Sequence, residues 1–153
     1  MTGLDDIYST RLLELAGQIT RTERLKNPDA SVSLTARPCG SKIELDLKMA
    51  NGQVAGYGHS IKACLLGQSA ASVMAREIAG STPEELRTVA RQMRAMLREN
   101  GPPPSGRWAD LASLEAVRDY KARFASTLLV FDAVEKALDE IEAKSFELEG
   151  YKT

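Results

Sequence analysis

Apolar and polar positions alternate most regularly in residues 41–49. Ile43, Leu45, Leu47 and Met49 share one face of a predicted strand, and Lys42, Glu44, Asp46 and Lys48 the other. Asn51-Gly52 follows, the pair preferred in a tight type I′ turn, so residues 53–62 are expected to return antiparallel. Val32, Leu34 and Ala36 predict a shorter strand over 31–36. Ahead of it, Ile7, Leu12, Leu15, Ile19 and Leu25 recur at near-helical spacing, and the sequence predicts one amphipathic helix over 5–25, stopped by Asn27-Pro28-Asp29. After Cys64 the period changes to a helical one, with Leu65, Ala71, Met74, Ala75 and Ile78 in one stripe. Gly80-Ser81-Thr82-Pro83-Glu84-Glu85 ends that helix and starts another running to about residue 100, with Leu86, Val89, Met93, Met96 and Leu97 turned inward. A proline-rich turn over 101–106 leads to a short helix over 110–117. A long helix over 123–143 carries Leu128, Phe131, Val134, Leu138 and Ile141, and residues 144–153 are expected to fray. The elements describe an α+β fold: a small antiparallel sheet of about three strands with a helical layer on one face, in a single domain over 1–153.

Composition narrows the function classes. Twenty basic and 21 acidic residues leave a net charge of −1, which argues against a nucleic-acid partner that would want a basic face. The longest apolar run, 127–131, is too short to span a membrane, and the first six residues have no basic-then-apolar leader pattern, so a cytoplasmic location is expected. The only two cysteines, Cys39 and Cys64, do not make a disulfide framework and read as free thiols or a metal-binding pair. The hairpin should return both to one end of the sheet, because twelve steps separate Cys39 from Asn51 and twelve separate Gly52 from Cys64. At the strand-to-helix junction Cys64 should also feel a helix N-terminus, which favours thiolate.

Other candidate chemistry is weaker. His59, the single histidine, falls out of phase with Cys64 and reads as a hydrogen-bonded strand residue, facing Glu44 across a strict two-residue hairpin or the opposite face if a bulge intervenes. Met93 and Met96 belong to a core stripe. Gly56 and Gly58 lack the following helix a phosphate cradle needs, and no acids pair by spacing for hydrolytic catalysis.

From about Ile7 to Leu138 the chain resembles the U-type iron–sulfur cluster scaffolds, the family of IscU, SufU and the NifU N-terminal domain, with the SufU branch as the best fit. Cys39-Gly40 is similar to the family's Cys-Gly-Asp, and Cys64 followed by Ser69-Ala70-Ala71-Ser72 to its second cysteine and small-residue helix. Residues 110–117 followed by Arg123 resemble the approach to its Arg-x-x-Cys motif, and 81–106 the SufU insertion. Two departures stand out: Ser41 replaces the aspartate, and Ser126 the third cysteine. The resemblance implies a non-enzymatic scaffold or sulfur acceptor working with a cysteine desulfurase. Cys39 and Cys64 would be ligands to an iron–sulfur cluster or zinc, Ser41 and Ser126 degenerate ligand positions, and Arg123 a partner-facing or site-organising residue. The alternative is a metal-free interaction module descended from such scaffolds. Hydroxyls are poor ligands for zinc and iron, so a resident metal is expected to be weak or absent.

Overall fold

The computed structural model describes residues 9–37 and 39–152, with the side chains of 147–152 left out. Three strands, β1 (Ala30–Ala36), β2 (Ser41–Ala50) and β3 (Gln53–Lys62), form an antiparallel sheet in the order β1-β2-β3. Asn51 and Gly52 both take positive φ, at 54° and 75°, as the type I′ turn requires. Around the sheet lie α1 (Thr10–Gly17), α2 (Leu65–Glu77), α3 (Pro83–Arg98) and α4 (Phe124–Lys152). Helix α4 crosses β1 and β2, and α2 and α3 pack beside it, so the helical layer covers one face of the sheet. The core between them contains Ile43, Leu45 and Leu47 from β2 and Val130, Phe131 and Val134 from α4. The Thr82 hydroxyl caps α3 by accepting from Glu85 N at 3.1 Å, with Pro83 in the first turn. Where fraying is expected from residue 144, α4 stays helical to Lys152.

The N-terminal helix departs from expectation. Positions 5–8 lie outside the described residues, and α1 ends at Gly17, eight residues before Leu25. The cause is tertiary. Residues 18–29 form a strap across the outer face of β2 and β3, where Arg21 O accepts from His59 N at 2.9 Å. Asp46 accepts from Arg24 Nε at 2.7 Å, Arg24 Nη2 at 2.8 Å, Leu25 N at 2.9 Å and Ser31 Oγ at 2.6 Å. A Cβ on Gly58 would stand 2.0 Å from Glu23 O, so the strap can cross only over glycine. The outward position of Asp46 in the alternation is thereby only 1% exposed.

The segment Gly106–Asp119 is a 3₁₀ helix, where an α-helix over 110–117 is expected. Its buried residues are Trp108, Leu111, Leu114 and Val117. They recur every third position, the repeat that lines up on a helix of three residues per turn and drifts on an α-helix.

In β3 the register shifts between Met49↔Val54 and Lys48↔Gly56, leaving Ala55 as an extra residue. The bulge turns the rest of the strand over, so that His59 faces Leu45 in the core and not Glu44. Its Nε2 lies 2.8 Å from Thr20 O, and burial lowers its pKa. The hydrogen-bonded strand histidine is therefore observed, on the inner face.

Candidate functional site

The site is assembled where the sheet, α2 and α4 meet. Lys42 pairs with Lys62 at the open end of the β2–β3 hairpin, one residue from Ser41 and two from Cys64. Cys39 lies in the β1–β2 turn at that same end. Cys64 is the N-cap of α2, with extended backbone (φ −66°, ψ 173°) and no capping hydrogen bond from its side chain. Ser126 lies in the first turn of α4, which enters from the 3₁₀ turn Lys121–Arg123.

Each thiol meets one hydroxyl. Cys39 Sγ donates to Ser41 Oγ at 3.3 Å and approaches Ala36 O at 3.6 Å. Cys64 Sγ and Ser126 Oγ lie 3.2 Å apart. Both cysteines are free: Cys39 is exposed and Cys64 half-buried, whereas Ser41 and Ser126 are 5% and 2% exposed. The Ser41 hydroxyl, then its amide, hold the Cys39 thiol below its ordinary pKa, and Arg123 adds a smaller effect in the same direction. The Arg123 backbone also helps to hold Ser126 in place, since its carbonyl accepts from Ser126 Oγ at 3.4 Å and from Thr127 Oγ1 at 2.8 Å. All five residues singled out from the sequence therefore converge on one end of the sheet.

Gly67 is the positioning residue that sequence reasoning missed. A Cβ there would lie 2.8 Å from Ala63 Cβ and 2.9 Å from Ser126 O, so its absence is what lets α4 bring Ser126 to Cys64. An isolated glycine inside the helical pattern of 65–77 was the available signal. Small residues do similar work further along α2: the single hydroxyl proton of buried Ser69 is shared between Leu12 O and Leu65 O, both at 2.8 Å, and the small side chain lets α1 lie close.

Within each pair the donor spacing suits a metal better than the donor chemistry does. Adjacent ligands in a tetrahedral zinc site are separated by about 3.5–3.8 Å for sulfur with oxygen or sulfur. The two pairs here, at 3.2 and 3.3 Å, are within a few tenths of an ångström of that. Two thiolates and two hydroxyls nevertheless fall two deprotonated ligands short of a resident zinc site. Among the described residues no group of three or more His, Cys, Asp or Glu side chains is arranged to hold a metal ion. His59 does not complete the set, because its ring is buried in the core with Nε2 at 2.8 Å from Thr20 O.

A NifU-like protein (N-terminal) from Brucella abortus, described as nitrogen-fixing, is 50% identical, with a TM-score of 0.90 over 92% of this chain and 98% of its own. The chain belongs to the IscU, SufU and NifU-like scaffold family. The iron–sulfur cluster assembly scaffold protein IscU of Thermotoga maritima is 28% identical over 138 residues, 88% of this chain and 94% of that protein. A putative scaffold protein of the SUF system from Fervidobacterium islandicum shares the fold at a TM-score of 0.80 and 18% identity, over 89% of this chain and 99% of its own. No protein-family model matches the chain. Among the described residues no helix is long and apolar enough to cross a membrane.

Proposed function

We propose that this chain serves iron–sulfur cluster assembly as a scaffold or sulfur acceptor, taking sulfur from a cysteine desulfurase and carrying sulfur and iron as cargo. The observation behind the reading is the double pairing at one end of the sheet: Cys39 with Ser41 at 3.3 Å, and Cys64 with Ser126 at 3.2 Å. Cys39 and Cys64 are the ligands in this reading, Ser41 and Ser126 fill the degenerate ligand positions, and Arg123 organises the site. The lowered pKa of Cys39 and its exposure support it as the first sulfur acceptor, because thiolate is the nucleophile. Its thiolate attacks the terminal sulfur of the donor's persulfide. The donor's S–S bond breaks, its cysteine leaves as thiolate, and a persulfide forms on Cys39 with no net oxidation.

The test is anaerobic incubation with a cysteine desulfurase, cysteine and ferrous iron, followed by iron and labile-sulfide analysis of the re-isolated chain. Bound sulfide that disappears in Cys39→Ala and Cys64→Ala is the expected result. No association with the desulfurase and no sulfide would overturn the reading. A metal-free interaction module is the second reading, favoured by the two hydroxyls in the donor set. Desulfurase retained on the chain without sulfide or iron would select it.

A further inference from the structure

Each segment that brings a sulfur or hydroxyl to this end of the sheet also carries a cation. Arg37 stands two residues before Cys39, Lys42 one after Ser41, Lys62 two before Cys64 and Arg123 three before Ser126. Arg37, Lys42 and Lys62 are exposed and Arg123 is half-buried. Elsewhere most arginines are neutralised: Arg11, Arg24, Arg76, Arg87, Arg94, Arg107 and Arg118 each reach a carboxylate, whereas among the described residues Arg21, Arg91 and Arg98 do not. At the thiol end, Arg37, Lys62 and Arg123 have no ion-pair partner among the described residues. Lys42 lies 3.4 Å from Glu44, a carboxylate it shares with Arg24.

The register sharpens the imbalance. Lys42 and Lys62 are direct cross-strand partners, an arrangement in which like charges repel. Together with Glu44 and Ser60 they line a surface cavity of about 200 Å³. Two thiolates and Glu44 offset at most three of the four cations, and Glu44 also serves Arg24, in a chain that has one more acid than base overall. The remaining positive charge is unbalanced until something anionic arrives.

We propose that Arg37, Lys42, Lys62 and Arg123 form a cationic collar that docks an acidic, Asp/Glu-rich segment of a protein partner beside Cys39 and Cys64. That the partner comes to exchange sulfur or iron rests on the cluster-assembly reading; the acidic chemistry recognised does not. Such a collar mainly raises the association rate, and screening beyond about 8 Å at physiological ionic strength makes its action salt-dependent.

The probe is a fluorescein-labelled peptide of eight glutamates, titrated by anisotropy at 20 and 150 mM NaCl. Arg37→Glu/Lys62→Glu is the collar variant. Arg91→Glu/Lys136→Glu, which reverses two exposed cations on α3 and α4, is the control. At 20 mM salt the collar variant should bind about tenfold or more weakly, the control within about twofold of the unmodified chain, and 150 mM salt should weaken the unmodified chain comparably. Equal losses in both variants, or none in the collar variant, overturn the proposal. Inorganic tripolyphosphate that displaces the peptide at equal or lower concentration also overturns it, because the site then recognises phosphate and not an acidic polypeptide. Reconstitution with ferrous iron and sulfide, which needs no partner protein, separates the two readings. If the unmodified chain loads no sulfide yet holds the peptide at the collar, cluster assembly falls and the docking surface stands.

Discussion

Converting Ser41→Asp together with Ser126→Cys should create a tight zinc site. Ser41 Oγ already lies 3.3 Å from Cys39 Sγ, and Ser126 Oγ 3.2 Å from Cys64 Sγ, so each new donor begins close to tetrahedral spacing from its own cysteine. A four-ligand structural zinc contributes an apparent ~10–16 kcal/mol, or roughly 2.5–4 kcal/mol per ligand if shared evenly. Two restored ligands then correspond to about 10⁴- to 10⁶-fold in Kd. The lower end is expected, since Ser41 and Ser126 are 5% and 2% exposed and a charged donor there must be desolvated. Ser126→Cys alone, with three thiolates, should gain on the order of 10²-fold. The assay is anaerobic competition against a chromophoric zinc chelator, with the melting temperature followed with and without zinc. Without metal the double variant should melt below the unmodified chain, because it buries an unpaired carboxylate; with zinc it should melt above it. A double variant that binds zinc within tenfold of the unmodified protein would refute the assignment of all four positions.

Three further outcomes follow from the packing. Gly67→Ala puts a methyl 2.8 Å from Ala63 Cβ and 2.9 Å from Ser126 O, so denaturant titration should show a loss of about 1–3 kcal/mol. The same substitution should reduce zinc binding in the Ser41→Asp/Ser126→Cys background, and unchanged binding there would remove Gly67 from the positioning role. Gly58→Ala, with its new carbon 2.0 Å from Glu23 O, should lift the strap, and faster amide exchange at His59 N is the sign to look for. The Asp46 carboxyl is held down at about 2, chiefly by Arg24. A depressed carboxyl stabilises the fold fully above its unfolded pKa of about 3.9, and that contribution, about 2 kcal/mol, is lost as pH falls toward 2. The stability gap between the unmodified chain and Asp46→Asn should therefore narrow between pH 5 and 3, and a gap independent of pH would contradict the linkage.

Where local pattern and tertiary demand agree, the sequence was easy to read. The alternation of Ile43, Leu45 and Leu47, the Asn51-Gly52 turn and the Thr82-Pro83 helix start are local signals, and each element lies where the pattern puts it. The site was legible for a similar reason: Cys39 and Cys64 are fixed to the two ends of one hairpin. Ser41 and Ser126 were found only through resemblance, because a serine carries no signal of standing beside a thiol far away in sequence. What failed locally was decided from a distance. Ile19 and Leu25 continue a helical spacing, but Asp46 and the backbone N–H of His59 offer residues 18–29 hydrogen bonds outside a helix, and Gly58 leaves room for the strap to reach them. The face of His59 depended on one extra residue, Ala55, which no periodicity announces.

The 3₁₀ segment bears on what changes of length the chain can accept. At about 2.0 Å per residue its fourteen residues span about 28 Å, against about 21 Å for the same residues as an α-helix. Inserting one residue after Leu111 would turn Leu114 and Val117 by about 120°, toward solvent, and bring polar neighbours into the core. Inserting three would return both to the buried face while carrying Arg123 and Ser126 about 6 Å from their place. Relatives that keep a paired Cys64 and Ser126 are therefore constrained in the number of residues between Gly106 and Asp119, while identities are freer at the exposed positions that, unlike Arg107 and Asp110, make no ion pair.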